Sequence, residues 1–310
     1  MIHDGSVPRF VGGPLDVFVN WQESSANSVY HALQMSLRIN EWRGLTSTLN
    51  YVWSHSIDDA SDGEDFVPNA AQPNDSRAPI RFNRGNSNFD VRHRLTWNYI
   101  YEFPNRKGDW KRLTDGWGIN GIVSVQSGQP FQLNYNFEDD YDGSGEFFGR
   151  PDVVAPIVYH RRDPNNFMDL TAFAAPCSYP ATGGDGFADT CIPGTRHFGN
   201  EGRNSLRGPN FRQFDFAIFK DTAITERLKV QLRAEFYNIL NHANFANPYL
   251  PLFIADASPN KSTAFPAGVG ADGRSLGSLH LTATGDVGIG YPFLGSGGPR
   301  GIQLAVKFTF

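Results

Sequence analysis

R-G-I-Q-L-A-V-K-F-T-F, residues Arg300 to Phe310, closes the chain. Ile302, Leu304, Val306, Phe308 and Phe310 are apolar, and Gly301, Gln303, Ala305, Lys307 and Thr309 between them are small or polar. Successive side chains of a strand point to opposite faces, so the stretch reads as a strand with one greasy and one wet face that ends on an aromatic ring. Chain termini are commonly frayed. A terminal phenylalanine on a regular alternation therefore asks for an apolar surrounding or a partner, and a membrane barrel strand supplies the first.

Composition points the same way. The chain of 310 residues carries a net charge of -5, and its pI of about 5.9 gives no electrostatic footprint for nucleic acid. Aromatic residues make up 14%, which is high for a soluble domain, yet the mean hydropathy is -0.40. No apolar run reaches the roughly 18 residues a membrane helix needs. In a β-barrel, apolar and polar positions alternate and average out, so each segment carries only a weak signal. Met1-Ile2-His3-Asp4-Gly5 has neither a basic n-region nor an apolar h-region, so the chain reads as cytoplasmic or as a piece of something longer.

The same period of two recurs along the chain. It predicts strands over 28–39, 45–56, 88–103, 117–133, 211–220, 227–240 and 300–310, and Leu15 to Asn20 offers an extra strand over 14–20. Val29 to Ile39 and Leu45 to Trp53 form a hairpin about Glu41-Trp42-Arg43-Gly44, expected to set Met35 beside Leu49 and Leu33 beside Tyr51. A second hairpin turns over Asp221 to Glu226. Counted from its turn, Phe216 should face Leu232, and Asp215 should pair with Arg233. Proline in Gly128-Gln129-Pro130 marks a kink near a rim, with Ile119, Val123, Val125, Phe131 and Leu133 expected on one face.

The connections alternate in length. Glu41 to Gly44, Pro104 to Gly116 and Asp221 to Glu226 are short, while Ile57 to Ser87, Asn134 to Asn210 and Asn241 to Pro299 are long and aperiodic. Outer-membrane barrels have short periplasmic turns and long extracellular loops. The expected fold is therefore all-β: an antiparallel transmembrane β-barrel segment of about seven or eight long strands, forming part of a barrel. A soluble sandwich has no reason to put every long loop at one end. Trp42, Tyr99, Tyr101, Phe103, Trp117, Phe308 and Phe310 would form one aromatic girdle, with Tyr51 and Trp53 nearer the other. On the wet faces, Asp90, Arg92, Arg94, Asp215, Arg233 and Glu235 are expected to line a hydrated lumen.

Four ordered motifs also carry a family resemblance. N-F-D-V-R-H-R-L-T-W-N-Y at Asn88 to Tyr99, G-W-G-I-N-G-I-V-S-V-Q-S-G-Q-P-F at Gly116 to Phe131, R-A-E-F-Y-N-I-L-N-H-A-N-F at Arg233 to Phe245, and the closing G-P-R-G-I-Q-L-A-V-K-F-T-F together resemble the C-terminal barrel of Oar-like TonB-dependent outer-membrane receptors. The resemblance implies a bacterial outer-membrane location and a large barrel, of roughly 22 strands in plugged transporters. It also implies a plug, a carboxypeptidase-regulatory-like domain and a TonB-contacting segment, which this reading expects to be absent from 1–310. The function implied is part of a receptor that binds a scarce solute outside and imports it when TonB pulls on the plug. The partners are outer-membrane lipid, an extracellular ligand and, through Ile302, Leu304, Val306, Phe308 and Phe310, the barrel assembly machinery. The alternative is a small self-closed barrel serving as a non-transporting surface or adhesion protein.

Sites of chemistry are few. Cys177 and Cys191 lie in one long loop, and an even cysteine count in an exported protein favours a disulfide over two free thiols. Glu138 to Gly143 and Asp58 to Asp65 are acidic but lack the full calcium-loop pattern, so they read as solvated loops. Gly268 to Gly273 matches a dinucleotide fingerprint by letter without the strand and helix that the motif requires. His31 and His93 stand on apolar strand faces and read as interfacial. No nucleophile has a base at hand; the reading is a non-enzyme without metal or cofactor.

Overall fold

The computed structural model describes residues 25–61, 79–105, 110–134, 149–180, 191–247, 278–279, 281–283 and 299–310. Seven long strands make one antiparallel sheet in chain order: β1 (Ser28–Trp42), β2 (Leu45–Asp58), β3 (His93–Glu102), β4 (Trp117–Gln126), β5 (Phe211–Ala223), β6 (Lys229–Tyr237) and β7 (Gly301–Thr309). Among the described residues the sheet is open, with β1 and β7 as its edges. Strands of up to 15 residues exceed the usual five or six of a globular sheet and suit a tilted span. The extra strand expected over 14–20 lies outside the described residues.

Register puts every short turn at one end. Trp42 pairs with Leu45, Glu102 with Gly118, Trp117 with Lys220, and Lys229 with both Ala223 and Thr309. At the opposite end Ser28 pairs with Asp58, Trp53 with His93, Gln126 with Phe211, and Tyr237 with Gly301, and all three long links leave from there.

Parity across these pairs divides the side chains. Leu37, Leu49, Trp97, Val123 and Phe214 form one row across five strands, and Phe216, Phe236 and Ile302 another. This apolar face stays uncovered by protein: Leu33, Met35, Leu37, Trp97, Leu232, Leu304, Val306 and Phe308 are all exposed. The other face carries Asn50, Asn98, Asn120, Asp215, Arg233 and Gln303. A sheet that leaves its greasy side bare is built for an apolar solvent.

At the short-turn end Trp42, Tyr101, Trp117 and Phe308 gather on the apolar face. Arg43 lies over the Trp42 ring at 5.6 Å and the buried Lys220 over Trp117 at 5.4 Å, where its Nζ donates to the Asp115 carbonyl at 2.6 Å. Glycines on central strands are covered by aromatic partners. A Cβ on Gly121 would meet the Tyr99 hydroxyl at 2.6 Å, and one on Gly118 the Phe219 ring at 2.2 Å. Gly116 opens β4 at φ +76, where an added Cβ would also strike the Asp221 carbonyl oxygen at 2.2 Å. Gly116→Ala is thus expected to weaken the β4–β5 pairing by about 1 kcal/mol or more, read as a lowered unfolding midpoint in urea.

Several expected pairings shift. Leu33 pairs with Trp53 and Met35 with Tyr51, while Leu49 faces Leu37, two residues from the expected register. Glu41 and Arg43 take positive φ of 49° and 51°, and the register shifts between Ile39 and Trp42, so the turn is centred further along. In the second hairpin β5 continues through Ala223, and the amides of Ile224 and Thr225 both donate to the Leu228 carbonyl. Phe216 therefore pairs with Phe236, and Leu232 with Lys220. The strand expected over 88–103 begins at His93. The one expected over 117–133 ends at Gln126, and Pro130–Phe131 leaves the sheet to pair with Leu206–Arg207. Phe131 and Leu133 accordingly do not share the face of Ile119, Val123 and Val125.

The core lies where those residues go. Phe131, Leu133, Phe167, Met168, Leu170, Phe173 and Leu206 are buried together in the long link between β4 and β5. Ser54, Ser56, Gln126 and Phe211, all on the polar face near the long-link end, are buried as well. The link thus folds into a cap over that end of the polar face.

Candidate functional site

The cap is joined to the sheet by buried charge. Arg203 donates from Nη1 to Asp58 Oδ1 at 2.6 Å and to the Asp58 carbonyl at 2.9 Å, and from Nη2 to Ser61 Oγ at 2.7 Å. Asp90 accepts from the Ser56 amide at 2.7 Å and from Arg92 Nε at 3.1 Å, and it pairs with Arg207 of the cap. Asn204, at φ 50°, donates from Nδ2 to the Asn86 carbonyl at 2.8 Å and to Asn88 Oδ1 at 2.7 Å, and its own carbonyl accepts from Asn86 Nδ2 at 2.7 Å. Asparagine tolerates the left-handed region that this reciprocal clasp requires.

Among the described residues of the cap, Glu201 is the most perturbed acid. Its carboxyl accepts from the Leu133 amide, 3.2 Å from each oxygen, and from Ser205 Oγ at 3.3 Å. Burial pushes its pKa up to about 8, against the lowering effect of the Leu133 amide and Arg150. The folded cap therefore keeps a proton that the unfolded chain loses near pH 4.5. The resulting stability is fully present below that pH and is lost as pH rises through about 8. Amide exchange at Leu133 should accelerate from pH 5 to 8 beyond its intrinsic base catalysis, and Glu201→Gln should flatten that excess. His197 moves oppositely in cause: burial lowers its pKa, but the Thr195 carbonyl and the Asp152 carboxylate at 2.7 Å raise it overall.

The six residues expected to line a lumen fall into separate groups. Asp90 and Arg92 precede β3 and belong to the cap junction, with Arg92 Nη2 also 2.7 Å from His55 Nε2. Arg94 donates to Gln126 Oε1 at 3.1 Å. The expected Asp215–Arg233 pair does not form. Arg233 pairs instead with Glu235 on its own strand, at 2.8 Å, and Asp215 accepts from Gln213 Nε2 at 2.9 Å and from the Asn238 amide at 2.9 Å. The longer β5 carries Phe219, not Asp215, opposite Arg233.

Cys177 and Cys191 are bonded, with Cα atoms 5.9 Å apart, inside the cap core. Among the acidic stretches, Asp58 and Asp59 are buried and engaged by Arg203 and Arg84 rather than solvated, while Glu138 to Gly143 and Gly268 to Gly273 lie outside the described residues. Among the described residues no group of three or more His, Cys, Asp or Glu is gathered to hold a metal ion. His93 Nδ1 meets the Tyr51 hydroxyl at 2.8 Å on the apolar face. Strand periodicity is silent about Glu201, Arg203 and Asn204, which lie in G-N-E-G-R-N-S-L-R-G at 199–208. The only hint in the sequence is the density of charged and amide residues between glycines.

Chemically, this arrangement makes a rigid, charge-latched surface at the long-link end of a sheet whose opposite face is greasy. A family model described as outer membrane beta barrel domain matches residues 17–265. No curated protein and no solved structure matches the chain.

Proposed function

The chain belongs to the outer membrane beta barrel domain family and resides in the bacterial outer membrane, and on that premise we propose that it forms barrel wall and extracellular ligand-binding loops of a TonB-dependent receptor. The observation that carries this reading is the cap: the β4–β5 link is folded, disulfide-linked and latched over one end of the polar face, where all the long links emerge. With the apolar face toward lipid, the polar face lines a lumen, and Arg94, Asp215, Arg233 and Glu235 hydrate it. Among the described residues both sheet edges are open, which suits a wall completed by further strands around a plug that TonB engages.

In the same reading the terminal strand is the handle for assembly. Ile302, Leu304, Val306 and Phe308 are exposed on edge strand β7, and Phe310 is 93% exposed. These side chains are free for the barrel assembly machinery to bind before a neighbouring strand arrives. Phe310→Ala should reduce the amount of chain recovered in outer membranes several-fold while leaving synthesis unchanged, as read by quantitative blotting of membrane and total fractions.

A second reading, a surface or adhesion barrel without transport, draws on the rigidity of the cap. Strains lacking this gene and strains lacking TonB separate the two. The receptor reading expects both strains to lose uptake of the same scarce solute. Unchanged uptake with lost surface attachment would replace it with the second.

A further inference from the structure

On this acidic chain, with 32 Asp and Glu against 27 Lys and Arg, a cleft of about 470 Å³ beside the cap has the opposite sign. Arg161, Arg162, Arg212 and His242 line it, Phe167 and Phe245 form apolar walls, and none of its described lining residues is acidic. Two other arginines of the cap are spoken for: Arg203 by Asp58 and Arg207 by Asp90. No ion pair among the described residues neutralises Arg161, Arg162 or Arg212, and all three are exposed.

Neighbouring groups position part of this lining. Arg161 lies over the Tyr159 ring at 5.0 Å. Asn244 brackets the backbone of Arg212, accepting from its amide at 2.8 Å and donating to its carbonyl at 2.9 Å. His242 is held by Asn238 through its amide at 3.0 Å and its carbonyl at 2.9 Å, and its Nδ1 meets Asn244 Oδ1 at 3.2 Å. Its Nε2 is left without a partner among the described residues. Guanidinium groups match the oxygens of a phosphate.

Strand parity places Arg212 relative to the membrane. Arg212 stands on the apolar-face parity of β5, followed by Phe214, Phe216 and Ile218 and then Lys220. At about 3.3 Å per residue and a tilt near 40°, the two cations stand roughly 20 Å apart in height, close to the apolar band of about 25 Å. Arg212 therefore sits at headgroup level on the side facing lipid. We infer that this cleft binds the phosphate of an anionic lipid headgroup at the membrane boundary, with the three arginines on the phosphate oxygens and Phe245 against the adjoining part of the headgroup. Which leaflet supplies the lipid follows from the orientation proposed above; the phosphate site itself is independent of transport.

The test uses the full chain in neutral detergent, mixed in parallel with phosphatidylglycerol, phosphatidylcholine or inorganic phosphate, with bound phosphorus measured after gel filtration and by ³¹P line broadening. The expected result is selective retention of phosphatidylglycerol. Retention should fall at least about tenfold in the Arg161→Gln/Arg162→Gln/Arg212→Gln variant, given that one charge-assisted hydrogen bond is worth about a factor of ten or more. It should be partly kept in the corresponding triple Lys variant. Circular dichroism checks strand content, and Arg162→Gln alone serves if the triple variant misfolds. Equal retention by wild type and the Gln variants, or none by wild type, overturns the proposal. Binding of inorganic phosphate without retention of phosphatidylglycerol overturns the headgroup assignment.

Discussion

Phe216→Arg is expected to destabilise the folded chain in lipid by about 2–4 kcal/mol through the buried charge alone, and loss of the aromatic pair adds about 0.5–1.5 kcal/mol. Phe216 lies on the apolar face midway between Arg212 and Lys220, opposite Gly121 on one side and Phe236 on the other, with the Phe216 and Phe236 rings 6.2 Å apart. An arginine there has no water to reach and no acid beside it, since both cross-strand partners are apolar or absent. Asn98→Arg is the control. Asn98 is exposed on the opposite face between Thr48 and Ile122, and a guanidinium there meets hydrated space, so the change should be within about 0.5 kcal/mol. Urea titration in lipid vesicles, followed by strand signal, distinguishes them. Equal costs for the two variants would mean that both faces meet the same medium, and the membrane placement of the apolar face would fall with that result.

That contrast depends on parity, and parity is what the residues of this chain declare most openly. Ile302, Leu304, Val306 and Phe308 share the side of Phe236, Leu232 and Val230, as alternation alone requires. A slip of two residues, however, moves every pair while leaving each side chain on its face. That is why Leu33 could be set against Tyr51 in the sequence reading and stand against Trp53 in the structure without any change in the greasy surface. The offset is decided in the turns. Asp221-Thr222-Ala223 reads as turn by composition but stays extended, because Asp221 pairs with Gln231 and accepts from its Nε2 at 2.9 Å.

The cap was illegible for a different reason. Its core residues, Leu133, Phe167, Leu170 and Phe173, come from short pieces without helix or strand period, and their burial depends on contacts far apart in the chain. Alternation can only announce side chains that share one regular face. Here the ordering is supplied by polar contacts between segments more than 100 residues apart, such as Asn204 with Asn86 and Arg203 with Asp58. An aperiodic loop can still be folded when its charges find one another.

Arg203→Met provides the measure of that folding. Arg203 and Asp58 are 1% and 2% exposed, so truncating the cation leaves a carboxylate in a site with little water. Removing one partner of a buried pair costs about 3–5 kcal/mol, and here part of the cost is shared by Ser61, whose hydroxyl accepts from Arg203 and donates to Asp58 at 2.9 Å. The loss should be confined to the cap. Amides of Asn204 and Leu206 are expected to exchange faster by two to three orders of magnitude, at about a factor of ten per 1.4 kcal/mol, while those of β5 and β6 keep their protection because their ladder does not pass through the junction. Asp58→Leu combined with Arg203→Met removes both charges and should recover most of the loss, since an apolar pair of similar volume is often as stable as the ions it replaces. If the double variant exchanges as fast as the single one, the hydrogen bonds of Arg203 to the Asp58 carbonyl and to Ser61 hold the cap, and the ion pair does not. If β5 and β6 lose protection along with Asn204, cap and sheet form one cooperative unit, and the cap cannot move on the wall it covers.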